Sequence, residues 1–345
     1  MENNKVNGVA RDGELRSKRE SPGGDGGLGQ KIGFIGQGWI GKNYADDFER
    51  RGFEVVRYGL EDPYIHNGEK IAECDIVFIA VPTPTTPQGF NDSILRSAVK
   101  KVGLGKIAVI KSTILPGTTQ SIQIANHDVN VFHSPEFLTE ATADYDAANP
   151  IRNIIGIVED NEVLRAKASE VMAVLPRAPY EVICSDKEAE LIKYGGNNWF
   201  YFKVIFVNML YDLAAELGCD WQVIRNSMAA DPRIGSTHLN PVHNSGESGG
   251  EARPGYTDRP KLKFNELHLE PIHKSGRGAG GHCFIKDFAA YSELYNKLVG
   301  DEFSREVFKA MKNKNIDLLI KSNKDLDLLI GVYGEEILNH GKSEE

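Results

Sequence analysis

In the run SGRGAGGHCFIKDF, Ser275 to Phe288, five glycines and alanines lead into a cysteine, and a lysine and an aspartate follow it within four residues. Residues without bulk let another molecule's backbone, sugar or ring come close. A neighbouring lysine favours thiolate, the nucleophilic form of a thiol. The run therefore predicts a reactive Cys283 beside a surface cleared for a ligand. The same residues also fit an ordinary glycine turn before a helix that carries an inert cysteine.

A second candidate lies in GFIGQGWIG, where Gly36, Gly38 and Gly41 form a GxGxxG array. An apolar strand precedes it and an amphipathic helix follows. That context predicts a dinucleotide-binding turn through Gly36, Gln37, Gly38, Trp39, Ile40 and Gly41, with the pyrophosphate at the helix N-terminus. The next strand, FEVVRY, ends on Tyr58 and Gly59, with Glu61 and Asp62 slightly late and Arg57 adjacent. A carboxylate there favours NAD and an arginine accommodates NADP, so both cofactors stay open; Arg57 also fits a solvated strand position. Two loops at strand carboxyl ends, AVPTPTTP and KSTILPGTT, bring Val81, Pro82, Thr83, Ser112 and Thr113 to the edge where such folds bind ligands. Their hydroxyls suit a nicotinamide crevice and equally suit ordinary turns. A third strand end, HSPEFLTEATADYD, carries Glu136 and Glu140, four apart.

The elements that must hold these groups follow from periodicity. Short apolar runs alternate with helical patterns from Lys31 onward, several of them without strict polar alternation, as in parallel strands buried on both faces. This predicts an α/β chain with an N-terminal doubly wound Rossmann domain over residues 31–180. A mostly helical central and dimerisation domain follows over 181–300, then carboxyl-terminal helices over 301–345. Residues 1–30 are polar and glycine-rich and read as a disordered tail. Ser185 to Gly218 reads as one long helix, acidic in its first turn, stopped by Gly218 and apolar nearly all round, so that it is sandwiched between domains or subunits. The Gly195–Gly196 pair inside it suggests a close approach to the backbone. Residues 240–275 read as a long loop or insertion.

The ordered series GQGWIG, VPTPT, KSTILPGTT, SPEFLTE, ELIKYGGNN, DPRIGSTH and GAGGHCFIKD resembles the UDP-glucose/GDP-mannose dehydrogenase family from about Lys31 to Phe288. The resemblance implies Cys283 as nucleophile with Lys193, Asn197 and Asp287 around it. It implies Thr113 and Glu136 as water-positioning groups, and Glu140 and Lys286 on the cofactor side. Glu136, Phe137, Leu138, Lys193, Asn197 and Gly276, Arg277, Gly278, Ala279 and Gly280 would line the sugar-nucleotide pocket. Arg233 of DPRIG would serve a neighbouring subunit's site. The histidine in GGHC is similar to relatives acting on acetamido sugars, whereas Lys286–Asp287 agrees with the UDP-glucose branch. Such an enzyme takes two hydrides from a primary alcohol onto two NAD, holding the aldehyde on the thiol between them. Lys193 and Asn197, one helical turn apart, can then face one oxyanion.

Family members generally carry a third, Rossmann-like domain that closes over the nucleotide, and the residues after Phe288 read as helices instead. The resemblance therefore implies a short form. Arg253, Tyr256, Arg259, Lys261 and Lys263 of the insertion, entered by His238 and Asn240, suit a diphosphate and a base as substitute nucleotide contacts, and by composition fit a solvated loop as well. A two-electron hydroxyacid dehydrogenase of the 6-phosphogluconate type shares the architecture and leaves Cys283 idle. A non-catalytic sugar-nucleotide or dinucleotide sensor is the alternative outside enzymes. With a net charge of −9, the 345-residue chain carries no basic field for nucleic acid or anionic membrane. No apolar run reaches the length of a membrane span, and no signal-peptide core opens the chain. Four cysteines far apart argue against disulfides and a zinc site and fit a reducing cytoplasm.

Overall fold

The computed structural model describes residues 29–243 and 275–339. It opens with β1 (Lys31–Ile35), α1 (Trp39–Arg50), β2 (Glu54–Tyr58) and β3 (Ile76–Ile79). A small ribbon, β4 (Thr85–Thr86) with β5 (Gly89–Phe90), leads to α2 (Ser93–Val99), β6 (Ile107–Ile110), α3 (Thr118–Ala125) and β7 (Asn130–His133). Then come α4 (Ala143–Ala148), β8 (Arg152–Ile157), α5 (Glu162–Val174) and β9 (Tyr180–Ser185). The strands form one sheet in the order β2-β1-β3-β6-β7-β8-β9.

Alternation of side chains divides the sheet between two cores. Ile32, Phe34, Phe78 and Val109 face α1, α4 and α5, while Ile35, Val77, Ile79 and Ile110 face α2 and α3. This is the doubly wound α/β arrangement the sequence predicts, with three local differences. Between β2 and β3 the chain makes only two short 3-10 turns, Ile65–Asn67 and Lys70–Glu73, rather than a crossover helix. Strand β8 runs antiparallel to β7, and β9 runs parallel to β8. Strand β9 itself, which sequence reading did not name, extends the sheet to Ser185.

From the last strand the chain turns directly into α6 (Asp186–Glu216). Ser185 caps it, exchanging hydrogen bonds with Glu188 in a capping box, and Gly218 follows its end at φ +66°. After α7 (Trp221–Ala229), a two-residue strand β10 (Val242–His243) pairs with β11 (Gly276–Arg277). Helices α8 (Gly281–Leu298), α9 (Glu302–Ser322) and α10 (Leu326–Tyr333) follow, with a 3-10 turn at Glu335–Asn339. Tyr201 of α6 stacks on Phe288 of α8 at 4.1 Å, and Phe308 of α9 packs edge-on to Phe288. This aromatic cluster fixes α8, and with it Cys283, against the middle of α6. Among the described residues the long helix is covered on one side, and its other side carries exposed apolar residues such as Trp199 and Phe206.

Residues 1–28, the segment 244–274 with Arg253, Tyr256, Arg259, Lys261 and Lys263, and residues 340–345 lie outside the described residues, as does the side chain of Glu140. Among the described residues no helix is long and apolar enough to cross a membrane.

Candidate active site

Cys283 sits in the first turn of α8, four residues before the buried Asp287. A spacing of four puts both on one helix face. That face meets α6, where Asn197 Nδ2 donates to Asp287 Oδ2 at 2.6 Å. Lys286 Nζ lies 2.5 Å from the other oxygen, Asp287 Oδ1. One turn earlier on α6, Lys193 Nζ reaches Glu136 Oε1 at 2.7 Å, a pair almost wholly buried. Glu136 Oε2 also accepts the Leu138 N–H at 2.7 Å, so the segment after β7 folds back over its own carboxylate.

Lys193, Glu136, Lys286 and Asp287 all lie within electrostatic reach of the Cys283 thiol. The residue keeps an accessible surface, while its thiol sits low in the surrounding protein mass. Burial first, and then the Asp287 anion, push the thiol up to about 11 against the two lysines. Lys286 favours thiolate as expected, but burial and the Asp287 carboxylate with which it is paired outweigh it. Gly195 and Gly196 face open space, and among the described residues a Cβ on either meets nothing within 4 Å.

The glycine turn between β1 and α1 is built as a cofactor cradle. A Cβ at Gly36 would lie 2.1 Å from Ala80 O, and one at Gly41 would lie 1.9 Å from Gly36 O, so only glycine closes this turn. At Gly38, the N-cap of α1, a Cβ meets nothing, and no side chain caps the helix. The space and the free N–H groups at this positive helix end fit a pyrophosphate. Gln37 turns inward, its Nε2 donating to Gly36 O at 3.2 Å.

Arg57 is neither solvated nor free for a second phosphate. It is buried and donates to Glu49 Oε1 and Oε2 and to Asp46 Oδ1 at 2.7–2.8 Å. That commitment favours NAD at the end of β2. The hydroxyls of Thr83 and Ser112 join the two neighbouring loops, Thr83 Oγ1 donating to Thr113 O at 2.7 Å and Ser112 Oγ to Val81 O at 2.7 Å. Both are buried, and they shape the crevice walls from behind. Val81 and Thr113 are half-buried, and Pro82 is exposed.

Other predicted residues have partners of their own. Arg233 is exposed and paired with Asp231 at 2.6 Å. Arg277 turns toward α6. Its guanidinium donates to Asn208 Oδ1 and pairs with Asp212 of α6, both within 2.7 Å. Phe137 lies under two cations, 3.7 Å from the Arg152 guanidinium and 5.7 Å from Lys193 Nζ. Glu190 is a residue that sequence reading missed. Fully buried on α6, it accepts from Gly117 N, Thr119 N and Thr119 Oγ1 at 2.6–2.8 Å. It ties the loop carrying Thr113 to the helix carrying Lys193 and Asn197. Its place three residues before Lys193 on the same face was the available signal.

Two domain models of one family match the chain. The NAD binding domain of the UDP-glucose/GDP-mannose dehydrogenase family covers residues 64–176, and the central domain of that family covers residues 187–256. Together they take in more than half of the sequence. The chain belongs to the UDP-glucose/GDP-mannose dehydrogenase family. Its NAD binding match begins after the glycine turn, which the structure supplies at Gly36 to Gly41.

Among curated relatives, the UDP-glucose 6-dehydrogenase YwqF of Bacillus subtilis is 29% identical over 290 residues, covering 79% of this chain and 56% of that protein. The UDP-glucose 6-dehydrogenase of Rhizobium meliloti is 32% identical over 237 residues, covering 64% of this chain and 46% of that one. The chain spans about half the length of these relatives. Among solved structures, a UDP-glucose dehydrogenase from Pyrobaculum islandicum superposes with a TM-score of 0.65 at 21% identity, over 86% of this chain and 71% of that chain. The 3-hydroxyisobutyrate dehydrogenase of Mycobacterium tuberculosis shares the fold at a TM-score of 0.57 and 14% identity, over 88% of this chain and 98% of that chain.

Proposed function

We propose that the protein is an NAD-dependent nucleotide-sugar dehydrogenase that oxidises a sugar C6 alcohol, that of UDP-glucose first, to the carboxylate through Cys283. The observation that carries this reading is one thiol set among Asp287, Lys286, Lys193 and Glu136, with Asn197 on Asp287. Among the curated relatives are UDP-glucose 6-dehydrogenases, which supports this substrate.

Bound NAD supplies a hydride acceptor, and two are consumed per sugar. Loss of one hydride and the hydroxyl proton turns the alcohol into an aldehyde. Cys283 Sγ then bonds to the aldehyde carbon, giving a thiohemiacetal. Loss of a second hydride and proton gives a thioester, and water breaks the C–S bond to release the acid and restore the thiol. With the thiol at about 11, its proton must leave as the S–C bond forms. We assign that proton to Asp287, one turn along α8. Lys193 and Asn197 offer N–H groups to the oxygen that gains charge. Glu136, fixed by Lys193 and the Leu138 N–H, holds the hydrolytic water with Thr113.

The test is to screen nucleotide sugars with NAD and NADP, counting reduced cofactor per sugar consumed. Two per sugar, falling to none for net acid formation in Cys283→Ser, is the expected result. One per sugar with an indifferent Cys283 supports the hydroxyacid-dehydrogenase reading. Tight binding of nucleotide sugar without any reduction supports the sensor.

A further inference from the structure

The glycine loop that enters α8 is held by side chains of α9 and of the α9–α10 corner, 36 to 48 residues further along the chain. Lys324 is fully buried in the corner between α9 and α10. Its Nζ lies 3.3 Å from Gly276 O, 3.1 Å from Gly278 O and 3.2 Å from His243 Nε2. An ammonium has three hydrogens and no acceptor, so these three contacts satisfy it completely. His243 fits the arrangement as a neutral ring, its Nδ1 on Asn240 O at 3.1 Å and its Nε2 open to accept. Burial and Lys324 itself push this imidazole down to about 4, which keeps it neutral.

Neighbouring residues continue the grip. The Ser322 hydroxyl accepts the Arg277 N–H at 2.9 Å. The Asn315 amide brackets Ala279, accepting its N–H at 2.7 Å and donating to its carbonyl at 3.0 Å. Asp325 Oδ2 accepts the Gly281 N–H at 2.8 Å, at the start of the helix that carries Cys283. Asn323 and Asp325 both take positive φ, +50° and +51°, a conformation that non-glycine residues adopt at a cost. The corner is bent so that Lys324 and Asp325 point back into the loop. Gly278, at φ +96°, has Asn315 and Leu319 3.1 Å from where a Cβ would stand, so the loop has been pressed into this cradle.

We propose that Lys324 is a positioning residue for the thiol site, fixing through Gly276 and Gly278 the loop shape that presents its backbone to the sugar nucleotide and sets the first turn of α8 under Cys283. The proposal rests on the dehydrogenase reading only for its kinetic readout. Its structural readout, the reactivity of Cys283, does not depend on which substrate the protein takes.

The test compares wild type with Lys324→Met, which keeps most of the volume and removes all three donors. In oxidation assays with UDP-glucose, Lys324→Met is expected to raise the sugar-nucleotide KM and lower kcat, each by about tenfold, since small misplacements of reacting groups are costly. The KM for NAD, whose glycine turn lies on a different element, is expected to stay within about twofold. A residue that merely stabilised the fold would reduce the active fraction and leave the sugar-nucleotide KM alone. In parallel, iodoacetamide labelling of Cys283, read by peptide mass spectrometry, should change in rate severalfold.

If Lys324→Met does not fold, Ser322→Ala removes one grip at a half-buried position and should move KM in the same direction at unchanged melting temperature. Unchanged sugar-nucleotide KM and unchanged Cys283 labelling in a folded variant overturn the proposal. A wild-type protein that oxidises no nucleotide sugar, while Lys324→Met still alters the labelling, overturns the dehydrogenase reading and leaves the positioning role standing.

Discussion

At Cys283 two lysines lose to one carboxylate and to burial. Lys286 is close in sequence but its ammonium rests on Asp287, and Lys193 rests on Glu136, so each cation pulls on the thiol from beside a carboxylate that opposes it. A thiol at about 11 is almost wholly protonated at neutral pH, and its reactive fraction rises about tenfold per pH unit below that value. The Asp287 anion disfavours a second negative charge beside it, so removing its charge must lower the thiol pKa. Asp287→Asn also releases Lys286 toward the sulfur, a change of the same sign. Iodoacetamide labelling of Cys283 across pH 7 to 10 should therefore shift in Asp287→Asn to lower pH by about one unit. An unmoved or upward profile would show that Asp287 does not govern the thiol. At this scale the sequence was legible in residue identity and misleading in pairing. It named Cys283, Lys193, Asn197, Asp287 and Glu136, and the structure brings all five together. It could not show that Lys286 was occupied, because a pair between neighbours depends on rotamers. Nor could it show Lys324, whose partners lie 46, 48 and 81 residues away and meet it only through the α9–α10 corner.

Among the elements, the glycine turn was legible because each glycine answers to a local constraint. The direction of β8 was not, since a buried apolar run reads alike in either direction. The partly buried edge strand β9 gives a weaker pattern still. The turn also separates fold from binding in a way that two variants can test. At Gly41 an added Cβ strikes the Gly36 carbonyl at 1.9 Å, so backbone must move. Gly41→Ala should cost about 1–3 kcal/mol of stability as well as cofactor affinity. At Gly38 the backbone is extended, with φ −70°, and a Cβ meets nothing. Gly38→Ala should keep the wild-type melting temperature, yet weaken NAD by about tenfold, because the methyl group enters the space a pyrophosphate needs. Fluorescence titration with NAD alongside thermal melts reads both quantities. If Gly38→Ala binds NAD as tightly as the parent, the pyrophosphate does not lie over the N-terminus of α1.

On the scale of the whole molecule, one face of α6 remains to be accounted for. Leu191, Trp199, Phe206, Met209, Leu213 and Leu217 are each at least half exposed. At 100° per residue all six fall within about 80° of arc, a stripe with five of them on the 31-residue helix and Leu217 at its C-cap, while Phe202 of the same arc packs on Phe288 and Phe308. The opposite side packs on α8 through Tyr201 and Phe288, so the stripe is not a misplaced core. A patch of this extent marks an interaction surface, and a second copy of the same helix is the self-complementary way to cover it. We predict a homodimer through α6, with Trp199→Glu and Phe206→Glu shifting sedimentation toward monomer. Arg233, exposed near the end of α7 and bound only to Asp231 in its described hydrogen bonds, is then available to the partner's site. If each site joins Cys283 of one subunit to Arg233 of the other, Arg233→Ala and Cys283→Ser proteins are each inactive as homodimers. Mixed in equal amounts and allowed to exchange, half the dimers become hybrids with one complete site, so about a quarter of wild-type activity should return. A mixture that stays inactive, although labelled subunits are seen to exchange, would leave the dimer in place and remove Arg233 from the shared site.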